Sequence, residues 1–261
     1  MRDRNTTIFT AFLAAAALAL LGTSCSSSST IMLEPDLSGS ADISASVHPV
    51  LVQYYQDITG NYDLETILDP LQLTEQLNSR NGVRLRSMSQ ENPRNINVTV
   101  DFQSVNELIS RENVSAEGDF IRLTGREAGQ RELKIRISPE VVRGLLSLGT
   151  AGSRDVADFL LPSGGEAGVS SGQYRSDLLW ALGDYADEEK LNGIFNNSKL
   201  VLVFALPDNA RMDPQNIEGG RFLATGEAEN LGSESGNAAE FEVNIIELLT
   251  LRTPLEFSVI Y

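Results

Sequence analysis

"RNINVTVDF", Arg94–Phe102, decides the fold. Ile96, Val98, Val100 and Phe102 alternate with Asn95, Asn97, Thr99 and Asp101. A period of two is the signature of a strand with one buried face and one wet face. The run that opens at Val83 and Leu85 precedes it, and "NPRN", Asn92–Asn95, separates the two. Pro and Asn between alternating runs mark a hairpin turn.

The same period extends outward. Upstream, Ile43, Ala45 and Val47 alternate with Asp42, Ser44 and Ser46, and Pro49 stops that strand. Val50, Leu51, Tyr54, Tyr55 and Ile58 then fall at helical spacing, and Gly60 ends the helix. A second helix is predicted over Leu64–Ser79, with Pro70 near an early turn or break, and Asn81-Gly82 is a turn signal. Downstream, "FIRLTG" and "RELKIRI" form a hairpin across "REAGQ". Ser138, Pro139 and Glu140 open a helix: a cap, a first-turn proline and an acid at the positive helix end.

Residues 150–195 read as a helical insertion, with short helices near Arg154–Leu161, Ser176–Tyr185 and Glu188–Phe195. Leu200–Leu206 is continuously apolar, which predicts a central strand covered on both sides. "FEVNI" and "LEFSVIY" are read as a further strand pair, with Leu255, Phe257, Val259 and Tyr261 on one face. The sum is an α+β domain: a curved antiparallel sheet packed against helices, with a helical insertion near 150–195.

The N-terminus is of another kind. Arg2 and Arg4 are followed by an apolar run, Ile8–Leu21, interrupted only by Thr10, and then by small residues before Cys25. That order is the layout of a secretory signal, and about 14 apolar residues are too few to span a bilayer. Gly22-Thr23-Ser24-Cys25 resembles the end of a bacterial lipoprotein signal. The resemblance implies that the signal, 1–24, is removed and that the Cys25 sulfur carries a diacylglyceryl group, often with a further fatty acyl group such as palmitate on the new amine. Two or more acyl chains make stable membrane attachment. Cys25–Gly39, with "SSSST" and "PDLSGS", is then expected to be a flexible tether, and 40–261 a single domain.

Removing 24 of the 261 residues leaves 237, enough for a substantial core. The signal carries Arg2, Asp3 and Arg4, so the whole-chain charge of −16 becomes −17 in the mature protein. Such a surface argues against nucleic acid and against a polybasic membrane patch. With one cysteine there is no intramolecular disulfide, and the core must stabilise the domain.

"SGSADISASV", "INVTVDFQSVNEL" and the closing "KLVLVFALP…EGGRF…LLTLRTPLEFSVIY" are similar to the LppM-type domain of bacterial envelope lipoproteins. The similarity spans most of the mature chain, with 150–195 as an extra. It implies a helix-grip sheet with an apolar cavity suited to lipid-like ligands, and no particular site residues.

Chemistry is sparse. His48 is the only histidine, which excludes any multi-His zinc site, and its position at a strand-to-helix junction reads as a cap or surface residue. Asp184, Asp187, Glu188 and Glu189 are the densest carboxylate group, and Gly183 argues against one continuous helix through them, so they read as a solvated face. No P-loop, nucleophile elbow or calcium loop is present in the sequence. No catalytic, metal or cofactor residue is expected. A pocket lining is expected from Tyr54, Tyr55, Val98, Val100, Phe102 and Trp180, because aromatic and aliphatic side chains commonly line ligand sites. For Trp180 the alternative is core packing.

The reading is a lipid-anchored, non-catalytic lipoprotein of the bacterial envelope, facing the periplasm from the outer membrane where one exists. It would bind an apolar, lipid-like ligand or a protein partner. The alternatives are a structural or assembly lipoprotein acting through protein partners and, more remotely, a carboxylate-dependent hydrolase.

Overall fold

The computed structural model describes residues 26–34, 38–62, 70–78, 82–103, 121–125, 130–139, 142, 169–206, 211–217, 220–225 and 237–260. The expected helix at Arg154–Leu161, the first half of the helix expected over Leu64–Ser79, and Tyr261 lie outside them.

Alternation at Arg94–Phe102 produces β4, Asn95–Phe102, whose side chains are buried and half-buried in strict turn. It pairs antiparallel with β3, Val83–Asn92, across the Pro93-Arg94 turn, and with β2, Gly39–Ser46. Ile43 lies opposite Val98 and Ala45 opposite Ile96, so the two strands present one continuous apolar face. On the wet face, Thr99 donates to Asp42 at 2.7 Å and Ser44 to Asn97 at 2.7 Å. Helix α1, Pro49–Thr59, follows β2 and closes on Gly60, whose φ of 67° is the left-handed cap conformation that glycine adopts without strain. Helix α2, Pro70–Asn78, lies against β3.

The tether expectation fails at β1. Ser26–Leu33 is a strand, and it sits in the middle of a seven-stranded sheet of order β3-β4-β2-β1-β7-β10-β9. It pairs antiparallel with β2 and parallel with β7, Lys199–Leu206. Composition gave no hint of this, because four consecutive serines offer no apolar alternation from which to read a strand. Two neighbouring strands supply the backbone partners that the segment cannot supply itself. The parallel pair also makes the sheet mixed rather than wholly antiparallel.

A second difference is the number of sheets. β5, Ile121–Gly125, and β6, Arg131–Ile137, form the expected hairpin, but in a separate four-stranded sheet of order β5-β6-β11-β8. β11, Leu255–Ile260, belongs to it, whereas β10, Asn237–Asn244, belongs to the larger sheet. "FEVNI" and "LEFSVIY" therefore do not pair. Five-residue helix α5, Ile245–Leu249, carries the chain from one sheet to the other. β8, Arg211–Asn216, and β9, Gly220–Thr225, also lie in different sheets, and the Gly220 N–H donates to the Ile217 carbonyl at 2.8 Å at the crossing. A Cβ at Gly220 would stand 2.6 Å from the Phe241 ring, so only glycine lets the backbone pass there. Both sheets are open, and the larger is mostly flat rather than curved.

The sheets pack face to face. Phe257 of β11 stands against Phe204 of β7 at 5.7 Å between ring centroids and against Phe241 of β10 at 5.2 Å. One apolar core joins both sheets with Val52 and Tyr55 of α1, Leu73 and Leu77 of α2 and Leu248 of α5. β7 is interior as expected, but Val201 and Val203 on its other face are only half-buried, so one side is covered fully and the other partly. The architecture is α+β.

Two helices of the 150–195 insertion are α3, Ser171–Leu182, and α4, Glu188–Asn197. α3 starts five residues before its expected position because the Ser170 hydroxyl accepts from the Gln173 N–H at 3.2 Å and caps it. Asp187 caps α4 in the same way, accepting from the Lys190 N–H at 2.8 Å. The break near Gly183 is as read, and Asp184 and Glu188 do not share one helix.

Candidate functional site

The insertion builds a second, smaller apolar cluster. Tyr174 and Leu182 of α3, Leu191 and Phe195 of α4, Val50 of α1 and Ile246 of α5 are buried together. The strand register places this cluster at one end of the sheet. Ser26 of β1 lies opposite Ser46 of β2, where α1 begins, and Asn244 of β10, which caps α5, lies opposite Lys199, which follows α4. Asn244 joins the pieces: its Oδ1 accepts from the Ile246 N–H at 2.9 Å, and its Nδ2 donates to the Phe195 carbonyl at 2.8 Å.

His48 is the N-cap of α1. Its Nδ1 accepts from the Val50 N–H at 3.2 Å, which requires that nitrogen to be unprotonated. Partial burial, then the positive charges of Lys190 and Arg94, hold its pKa below the usual histidine value.

The six residues of the expected pocket lining divide among three settings. Val98, Val100 and Phe102 are 0–3 % exposed and, with Tyr55, are packed inside the two-sheet core. Tyr54 belongs to the helical cluster, where its ring meets Tyr185 edge-on at 5.5 Å. Trp180, for which core packing was the alternative, is at the surface with 87 % of its area exposed.

The surface around Trp180 has a definite composition. Gln173, Asp177, Trp180 and Asp184 follow one another at intervals of four, three and four, which keeps them on one side of α3 and its exit turn. All four are exposed. Gln173 Nε2 donates to Asp177 Oδ1 at 2.7 Å along this face. At the α3–α4 turn the Tyr185 hydroxyl donates to Asp57 Oδ2 of α1 at 2.7 Å, and that bond pushes the phenol up to about 12. Asp187, Glu188 and Glu189 continue the exposed acidic run into α4. On the opposite side of α3, Arg175 lies over the Phe195 ring at 5.8 Å and donates to the Asn196 side chain and carbonyl of Asn192, so its charge is turned away from Trp180.

Asp57 and Asp177 were missed from the sequence. The three-four spacing of Asp177, Trp180 and Asp184 was legible, but Leu178, Leu179, Ala181 and Leu182 surround Trp180 with apolar residues, so periodicity does not reveal which way the indole points. Asp57 comes near only through the fold. Among the described residues, no group of three or more His, Cys, Asp or Glu side chains is placed to hold a metal ion, and no helix is long and apolar enough to cross a membrane. The chain matches no family model, no curated protein and no solved structure.

Proposed function

We propose that this chain is a lipid-anchored protein of the bacterial envelope that acts by binding, without catalysis, and meets its partner at its surface. One observation carries the anchoring half. Arg2 and Arg4, the apolar run Ile8–Leu21 and the small residues Gly22-Thr23-Ser24 directly before Cys25 have the order of a lipoprotein signal. Cleavage there would set the lipidated residue directly before β1, a central strand of the sheet. The strand also supports an anchor held close to the domain, in place of the long tether expected from composition. The binding half is supported by the burial of Val98, Val100 and Phe102 within the core together with the exposed indole of Trp180.

Metabolic labelling with a radioactive fatty acid tests the anchor. The wild-type chain should carry the label and fractionate with membrane, with the outer membrane where one exists. Cys25→Ser should lose both. A labelled serine variant, or an unlabelled wild type recovered from the culture fluid, would overturn the reading.

A further inference from the structure

We infer that the outer face of α3, centred on Trp180, is a docking surface for a protein segment bearing arginine or lysine side chains. The inference rests on the binding role proposed above and names its partner class.

Trp180 is the only tryptophan in the chain. Ile58, Tyr62 and Leu71 are the other large apolar side chains that stand exposed among the described residues, at 46, 67 and 76 %, and Trp180 exceeds them all. Tryptophan offers the largest apolar area of any side chain and is enriched among the residues that dominate interface energetics. It lies on a well-formed, capped helix whose inner face is held by Tyr174 and Leu182. The exposure is thus a property of a rigid element, with little ordering entropy to lose on binding.

Charge complementarity chooses the occupant. Asp177 lies three residues before Trp180 and Asp184 four residues after, both exposed, with Asp187, Glu188 and Glu189 beyond the turn. Lys190 is the cation of that run, and Arg175 is directed to Asn196 and Phe195. An indole face rimmed by carboxylates suits a guanidinium or ammonium, which stacks on the ring while its N–H groups meet the acids. The same carboxylates oppose an anionic headgroup surface. A bilayer is therefore the competing occupant to be tested against, and a basic protein segment is the one the surface fits.

The experiment places the photo-reactive residue p-benzoylphenylalanine at position 180 of the full chain in living cells, with Leu71, exposed on another helix, as the control position. The expected result is a discrete protein adduct at 180 and none at 71, with the cross-linked segment mapping to a stretch rich in Arg or Lys. In the Asp177→Asn/Asp184→Asn background the adduct yield should fall at least about fivefold, whereas Asp42→Asn/Glu75→Gln, which removes the same charge from exposed positions on β2 and α2, should change it less than about twofold. Melting temperatures of the purified variants should match the parent, because these are surface substitutions. An adduct equally present at 71, an adduct insensitive to the local acids, a mapped segment without basic residues, or cross-linking to lipid alone would each overturn the inference. Repeating the experiment in Cys25→Ser separates the two proposals: an adduct that persists without fatty-acid label upholds this surface and removes the anchor.

Discussion

The two-sheet core and the helical layer at its end differ in how they use aromatic residues. In the core, Phe204, Phe241 and Phe257 meet ring to ring and are almost wholly buried. In the helical layer, Tyr174 and Phe195 are buried, Tyr54 and Tyr185 are half-buried with their rings in contact, and Trp180 faces solvent. Among the described residues the core draws buried side chains from seven strands and from α1, α2 and α5, while the layer rests on a handful of side chains from α1, α3, α4 and α5. Buried apolar contact is concentrated in one region and exposed aromatic surface in the other. A region with few buried contacts opens locally at lower cost than the core does.

The largest expected effect comes from Phe257→Ala. It deletes the ring that links the two sheets and should cost about 4 kcal/mol, read as a single cooperative loss in a denaturant melt. A loss below about 1 kcal/mol would show that the sheets do not depend on one another. Phe195→Ala sharpens the comparison. It should cost about 3 kcal/mol but release α3 and α4 first, so that amide exchange quickens there while β4 stays protected. Uniform quickening across both regions would erase the distinction.

A smaller effect of opposite sign is expected on β1. Ser27 and Ser29 point into the core, 3 and 1 % exposed, and their hydroxyls have no hydrogen-bond partner. Ser29 lies between Ile43 and Leu202. Ser29→Ala removes a desolvated hydroxyl and should stabilise the domain by about 1 kcal/mol, seen as a raised melting temperature. A lowered one would show that the hydroxyl finds a partner.

The smallest effect is a pH slope at His48. The unfolded imidazole titrates near 6.5 and the folded one lower. On acidification the unfolded chain takes up the proton first, so the contribution is complete above about 6.5 and declines as pH falls through that value toward the folded pKa. His48→Asn keeps an N-cap acceptor and should remove this slope while leaving stability at neutral pH nearly unchanged. Melts at several pH values between 7 and 5 measure it.

Local signals were legible because their causes are local. The alternation of Ile43–Val47 and Ile96–Phe102, the turns at Pro93-Arg94 and Gly82, the cap at His48 and the stop at Gly60 all arise from a few adjacent residues, and each lies where the sequence placed it. The candidate surface was half legible. Trp180 and Asp184 stood out, but neither the outward direction of the indole nor the approach of Asp57 to Tyr185 could be read, since both depend on which face of α3 the second cluster buries.

What the sequence determined by itself was the period of each strand and the ends of several helices, because side-chain alternation and capping hydrogen bonds act over one to four residues. What only the tertiary structure decided was partnership. "SSSST" became the centre of a sheet because β2 and β7 flank it and satisfy its backbone. "FEVNI" and "LEFSVIY", alike in pattern, went to different sheets because α5 turns the chain between them. A strand's own residues specify which of its faces is buried. Which strand lies beside it depends on hydrogen bonds that the backbone offers identically at every position.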